Sequence, residues 1–210
     1  MFKFSITSIL NAFCFLLVWF GLVLLVCACT FPLYEDMDVL LAWWRYPGWG
    51  ILLILTVLTC KRWKVSPSMG FPLTWKKVLT VVGLSLAYWV VSFVISRWSL
   101  LQTGTLYFAV GITNKNILFV IESLVLAPFI EEFAFRGTML EYLRRTNGVI
   151  ISVLWSSALF SLYHMTLSQF LPTFFCGILL GFIYLKMKSI WYAVLAHFIY
   201  NLTCFFIWVK

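Results

Sequence analysis

The chain has 210 residues, of which 63% are hydrophobic and only 10% are charged. Soluble domains carry about 25% charged residues, so this composition excludes an ordinary soluble protein and indicates a polytopic membrane protein. The formal net charge is +8, but the basic residues form short clusters between apolar runs and offer no basic face to a nucleic acid. We therefore expect a lipid bilayer around the protein and no nucleic acid as a partner.

Apolar runs along the chain predict its membrane helices, because a spanning helix needs about 20 mostly apolar residues. The predicted helices cover about residues 6–29, 46–60, 78–96, 117–142, 149–165, 169–185 and 189–208. The second run is short, and Pro128 inside the fourth run predicts a kink. The fold class that follows is all-α, a polytopic membrane helix bundle with about seven transmembrane helices.

The distribution of basic residues predicts the orientation of these helices. Placing the basic-rich loops in the cytoplasm gives strict alternation through seven helices, with the N-terminus inside and the C-terminus outside. The alternation requires that residues 46–60 cross the membrane. The first run follows a single basic residue, Lys3, and lacks a clear cleavage site, so we interpret it as a retained helix. We expect an integral membrane protein of a bacterial cell membrane, with its N-terminus in the cytoplasm.

Ionisable side chains are concentrated in the second half of the chain. Four of the seven acidic residues lie in the fourth predicted helix: Glu122, Glu131, Glu132 and Glu141. The two histidines, His164 and His197, lie in separate predicted helices. An ionisable side chain at membrane depth costs about 2.5–3.5 kcal/mol on insertion scales, so each is a functional hypothesis by default. Glu141 is the exception, since the arginines three and four residues later predict an interfacial ion pair.

Helical spacing separates the two adjacent glutamates. Glu132 and Arg136 are four residues apart and share a face, which predicts a bidentate ion pair. Glu131 points about 100° away from Glu132 and is left available for chemistry. The alternative is that both carboxylates pair with cations and only hold helices together.

Two further pairs are spaced four residues apart, and both contain a histidine. Phe160 and His164 share a face, although a single buried histidine is more often a satisfied core residue than a catalytic one. His197 and Asn201 also share a face, and two donors aimed at one point are what an oxyanion requires. The alternative for this second pair is hydrogen bonding between helices. Farther along, the stretch CGILLG, from Cys176 to Gly181, predicts close helix packing.

Taken together, EEFAFR, FSLYH and HFIYN resemble the three motifs of the CPBP family. This family contains the CAAX prenyl proteases of the second type and the bacteriocin-processing or immunity proteins also called Abi. Its pattern is EExxxR, then FxxxH, then HxxxN or HxxxD, on separate membrane helices. The resemblance covers about residues 117–205. It divides one integrated membrane domain into scaffold helices, residues 1–115, and a catalytic helical core, residues 116–210.

The resemblance implies an intramembrane endopeptidase acting on membrane-associated peptides or proteins, in CAAX-type processing or in bacteriocin maturation and self-immunity. The catalytic residues that it implies are Glu131, His164, His197 and Asn201. The supporting residues that it implies are Glu132, Arg136 and Phe160. Glu131 is then the base that activates a water held by His164. His197 and Asn201 then stabilise the oxyanion of the tetrahedral intermediate.

Several alternatives stay open beside a glutamate-dependent protease. Members of the family have also been called metalloproteases, and Glu131, His164 and His197 form the alternative zinc site. Because the chain has no HExxH stretch, we favour a reaction without a metal or other cofactor. The rival functions are a non-catalytic bacteriocin immunity or membrane scaffold protein and a proton-relay transporter. The predicted helix bounds also place Glu131 and His164 at different depths in the membrane.

Overall fold

The computed structural model describes residues 4–30, 37–70, 73–98, 120–164 and 167–208. These ranges contain seven helical segments and no β-strand. In chain order they are α1, Ile6–Thr30; α2, Met37–Trp63; α3, Trp75–Trp98; α4, residues 120–146; α5, Val149–Tyr163; α6, Leu167–Met187; and α7, Ile190–Trp208. The predicted all-α helix bundle is therefore confirmed.

Two helices differ from their predicted bounds. The run predicted at residues 46–60 belongs to a helix of 27 residues that begins at Met37, with Pro47 inside it. The fourth helix continues to residue 146, where Asn147 takes an extended backbone and its Nδ2 caps the Leu143 carbonyl at 3.0 Å. Lys3 lies outside the described residues.

The distribution of apolar side chains is that of a membrane protein. Within the described ranges, three helices are long and apolar enough to cross a membrane: Ile6–Thr30, Trp75–Val94 and Phe170–Met187. Large apolar side chains of α1, such as Leu17 and Leu24, face outward, whereas many of the buried residues are polar or charged. Apolar groups outside and polar groups inside are what a lipid surrounding requires. The protein is an integral membrane protein.

Two of the three apolar cores among the described residues connect most of the helices. The first is formed by α1, α2, α4 and α5 and contains Phe15, Leu52 and Phe135. The second is formed mainly by α3, α6 and α7 and contains Val81 and Leu180. The helix α4 packs in the first core and also contacts α6 and α7. The polar side chains of α4 therefore lie close to those of α6 and α7.

One end of the bundle is fixed by hydrogen bonds around the end of α4. Arg144 contacts Glu141 at 3.0 Å, as the spacing of these residues predicts. The Tyr184 hydroxyl on α6 donates to the same Glu141 oxygen at 2.7 Å. Arg145 donates to the Trp63 carbonyl at 2.8 Å. These contacts connect the end of α4 with α2 and α6 and so fix its height in the bundle.

Close packing between α5 and α6 leads to the first testable prediction. A Cβ atom at Gly177 would lie 2.9 Å from Ser157 Cβ and 3.0 Å from Ser157 Cα, so the two helices leave no room for it. We expect Gly177→Ala to lower stability by about 1–3 kcal/mol, because α5 and α6 would have to separate. Gly83→Ala in α3 is the matched control, since no atom lies within 4 Å of its Cβ position. Thermal unfolding in detergent compares the two variants, and equal melting temperatures would contradict the prediction.

Candidate functional site

The fourth helix is wound in two ways. Glu122–Leu126 and Phe133–Leu140 have wide π-helical turns, and Ala127–Glu132 between them is α-helical. In the first wide turn the N–H of Ala127 donates to the carbonyl of Glu122, five residues earlier. Pro128 follows at the second position of the α-helical section; the kink predicted from this proline stays a prediction. Wide turns of this kind occur frequently at functional sites.

Side chains cover backbone carbonyls in both wide turns. The Thr138 hydroxyl donates to the Phe133 carbonyl at 3.0 Å. From α5, the Ser156 hydroxyl donates to the Phe135 carbonyl at 2.9 Å. From α7, Asn201 Nδ2 donates to the Ser123 carbonyl at 2.8 Å. Such partners are needed because water is scarce in a membrane interior and an unpaired carbonyl there is costly.

A fully buried ion pair occupies the centre of the site. Arg136 Nη1 contacts Glu132 Oε1 at 2.8 Å, and the two side chains are 1% and 0% exposed. Arg136 Nη2 donates to the Gly177 carbonyl at 3.2 Å, and the guanidinium lies 4.3 Å from the centre of the Phe160 ring. The predicted pair is therefore present, but its bidentate geometry was wrong because the second guanidinium nitrogen is bound to α6.

His197 lies between the two adjacent glutamates. Its Nδ1 is 2.9 Å from Glu132 Oε1, so this carboxylate accepts hydrogen bonds from both the imidazole and Arg136. Its Nε2 is 3.9 Å from Glu131 Oε2. Glu131 Oε2 is buried and makes no hydrogen bond within the described part of the chain. Although the two glutamates point in different directions, one imidazole reaches both because its nitrogens lie on opposite sides of the ring.

His164 lies at the same level of the bundle as Glu131. Its Nδ1 donates to the Phe160 carbonyl at 2.8 Å, and its ring centre lies 4.8 Å from that of Phe160. The Phe160 ring is also 5.8 Å from the His197 ring and thus joins the two histidines. The predicted difference in depth was wrong: α4 ends at residue 146, so Glu131 and His164 are each sixteen residues from the turn that joins α4 to α5.

The structure also reveals a contact that the sequence did not predict. Trp49 Nε1 on α2 donates to Glu122 Oε1 at 2.6 Å, and Glu122 is 5% exposed. The Tyr163 ring packs against Trp49 and Trp19, at 6.4 Å and 4.6 Å between ring centres. A carboxylate within an apolar helix was the only signal for Glu122. Its partner lies on another helix, at a distance along the chain that no motif covers.

The contact between Trp49 and Glu122 gives the second prediction. We expect Trp49→Phe to lower stability by about 1.5–3 kcal/mol, the usual worth of a hydrogen bond to a charged group, because it removes the N–H and keeps an aromatic ring. Thermal unfolding in detergent measures this effect. Trp75→Phe is the control, since Trp75 is 82% exposed. A loss of the same size in both variants would mean that ring size, and not the hydrogen bond, matters.

The alternative zinc site is not assembled. No group of three His, Cys, Asp or Glu side chains is placed to hold a metal ion anywhere in the ranges that the structure describes. His164 and His197 each use Nδ1 in a hydrogen bond, an arrangement that metal-bound histidines also show. We assign no step of the proposed reaction to a metal.

Comparisons with known proteins cover the half of the chain that contains these side chains. Residues 113–203 match the family model described as Type II CAAX prenyl endopeptidase Rce1-like. All three motifs lie inside this range. The match supports the CPBP resemblance that the three motifs carry.

A relative from Bacillus subtilis (strain 168) matches over 134 residues with 26% identity. It is named "Putative membrane peptidase YdiL". The match covers 57% of this chain and 55% of the relative, so the chain spans about half the length of the curated protein that it matches. No solved structure matches the chain. The division into scaffold helices and catalytic core stays a prediction, since its boundary falls outside the described residues.

Proposed function

We propose that this protein is an intramembrane endopeptidase in which Glu131 is the general base. The observation that carries the proposal is the position of Glu131 Oε2, which faces His197 Nε2 at 3.9 Å. This distance is too long for a direct hydrogen bond and suits a bridging water. Glu131 Oε2 is buried without a hydrogen bond to the described residues, as Glu132 Oε2 also is, but the other oxygen of Glu132 is held by Arg136. The CPBP match and the relative's name support a peptidase over residues that include the whole site.

The proposed reaction is hydrolysis of a peptide bond by one water molecule. Glu131 Oε2 takes a proton from the water, and the water oxygen forms a bond to the carbonyl carbon of the peptide. The tetrahedral intermediate then collapses, the carbon–nitrogen bond breaks, and Glu131 returns its proton to the departing amine. A positioned carboxylate that exchanges protons in this way contributes about 10²–10⁴-fold to a rate.

The surrounding side chains have distinct roles in this proposal. His164 donates from Nδ1 to the Phe160 carbonyl, which orients its ring, and the family pattern gives it the role of holding the water. Asn201 uses one N–H of its amide on Ser123 and has a second for the oxyanion, which His197 stabilises through Nε2–H when its imidazole carries both protons. Donors fixed before the reaction stabilise an oxyanion most effectively, since they need not reorganise.

Glu132 and Arg136 support the site and take no part in proton transfer. Glu132 Oε1 already accepts two hydrogen bonds, from Arg136 and from His197. It therefore orients the imidazole, while Arg136 connects α4 to α6 through the Gly177 carbonyl. Phe160 completes the support by packing against the guanidinium. This division of roles explains why two neighbouring carboxylates are present in one buried stretch.

The proposed substrate is a membrane-associated peptide or protein in a bacterial cell membrane. Lipid-modified C-terminal segments, as in CAAX-type processing, and bacteriocin precursors are the two sources to compare. The alternation of basic loops supports an N-terminus in the cytoplasm. No metal or other cofactor is included in the proposed reaction.

Cleavage of a defined peptide library by the purified protein in liposomes tests the proposal. Each peptide is supplied with and without an isoprenoid on cysteine, in ¹⁸O-labelled water, with and without a chelator. We expect products whose new carboxyl terminus carries one ¹⁸O atom, in equal amounts with and without the chelator. Chelator-sensitive cleavage would favour the metal alternative, and no cleavage of any peptide would favour the non-catalytic immunity or scaffold alternative.

A further inference from the structure

The carbonyl of Ser123 is the starting point, because it accepts a hydrogen bond from a side chain of another helix. Asn201 Nδ2 on α7 donates to it at 2.8 Å. Within a helix, a carbonyl is ordinarily used by a backbone N–H four residues later, or five residues later in a π-helical turn. The question is why neither backbone donor takes this carbonyl.

The two backbone donors are both excluded by the local sequence. Four residues after Ser123 comes Ala127, whose N–H donates to Glu122 instead. Five residues after Ser123 comes Pro128, which has no N–H. The wide turn and the proline together leave the Ser123 carbonyl free for an outside donor, and the Asn201 carboxamide occupies it.

We propose that Pro128 is a positioning residue for Asn201. By removing the competing N–H, the proline reserves the Ser123 carbonyl for the Asn201 amide and so fixes the direction of its second N–H. Asn201 lies four residues after His197 on α7, and Glu132 on α4 orients the His197 ring. The same two helices, α4 and α7, therefore position both side chains. The consequence for turnover rests on the proposed function, in which Asn201 stabilises the oxyanion. The contact itself does not depend on it.

Pro128→Ala is the test, because alanine supplies the missing N–H at one of the two competing positions. With asparagine labelled with ¹⁵N, the side-chain amide of Asn201 is identified by its loss in Asn201→Ala. We expect Pro128→Ala to shift this amide resonance and to speed its hydrogen exchange. Pro67→Ala is the control, since Pro67 lies between α2 and α3 and packs at Gly137; it should leave the Asn201 resonance unchanged.

A stability cycle provides a second readout that needs no substrate. Asn201→Ala should lower the melting temperature by about 2–4 °C for a loss near 1 kcal/mol in a chain of this size. In the Pro128→Ala background, Asn201→Ala should lower the melting temperature by less than half as much. The reason is that the new backbone N–H already donates to the Ser123 carbonyl. Additive shifts, or an Asn201 resonance that Pro128→Ala does not move, would overturn the inference.

Turnover then separates this inference from the proposed function. Loss of an oxyanion donor lowers kcat by about 10²–10³-fold. We expect Pro128→Ala, which only mispositions the donor, to lower kcat by about 10-fold and to leave KM unchanged within about twofold. If Glu131→Gln abolishes cleavage but Pro128→Ala leaves kcat unchanged, the positioning role is overturned and the protease remains. If the protein cleaves nothing, the proposed function fails, whereas the spectra and the stability cycle still decide whether Pro128 positions Asn201.

Discussion

Glu131→Gln is expected to abolish peptide cleavage while the protein stays folded. Glutamine has nearly the same size and shape, but its amide cannot take a proton from water. Because Glu131 Oε2 makes no hydrogen bond in the described structure, the substitution breaks none at that atom. The expected loss in kcat is about 10²–10⁴-fold, the usual contribution of a general base. Initial rates of peptide cleavage measure it, and size-exclusion elution with thermal unfolding checks the fold.

Glu141→Gln is the matched control for this prediction. It makes the same chemical change in the same helix, but Glu141 contacts Arg144 and Tyr184 away from the site. We expect its kcat to stay within about twofold of the wild type, since a partly exposed ion pair contributes only about 0–1 kcal/mol. Turnover that survives Glu131→Gln in a folded protein would rule out this glutamate as the base. The proposed reaction would then have no proton acceptor at this position.

Arg136→Leu is expected to cause the largest loss of stability. Both members of the pair are buried, and removing the guanidinium leaves the Glu132 carboxylate without its compensating charge. It also removes the donor to the Gly177 carbonyl. Breaking a buried pair in this way costs about 3–5 kcal/mol. At about 2–4 °C per kcal/mol for a chain of this size, the melting temperature should fall by about 10 °C.

A double variant distinguishes a stranded charge from a simple loss of packing. Adding Glu132→Gln to Arg136→Leu removes the carboxylate charge and keeps a side-chain oxygen for His197, so we expect much of the lost stability to return. Arg144→Leu is the exposed control, with an expected change of at most about 1 kcal/mol. A double variant that is as unstable as Arg136→Leu would show that the guanidinium acts through packing and through Gly177, and that charge compensation is minor.

The sequence determined much of this protein by itself. Long apolar runs separated by basic clusters determined a membrane helix bundle, because backbone hydrogen bonds inside a bilayer must be satisfied within the helix. The spacing of Glu132 and Arg136 determined their contact, since residues four apart on a helix are neighbours. The order of the three motifs determined the resemblance that the family match over residues 113–203 supports. Each of these features depends on residues that are close in the chain or on their order.

Only the tertiary structure decided how these features meet. Three contacts depend on the height of each helix in the bundle and on its rotation about its own axis. They are the contact of His197 with both glutamates, the hydrogen bond from Trp49 to Glu122, and the hydrogen bond from Asn201 to the Ser123 carbonyl. A periodicity of 3.6 residues gives the face of one helix but neither its height nor its rotation against another. The wide turns of α4 change that periodicity locally.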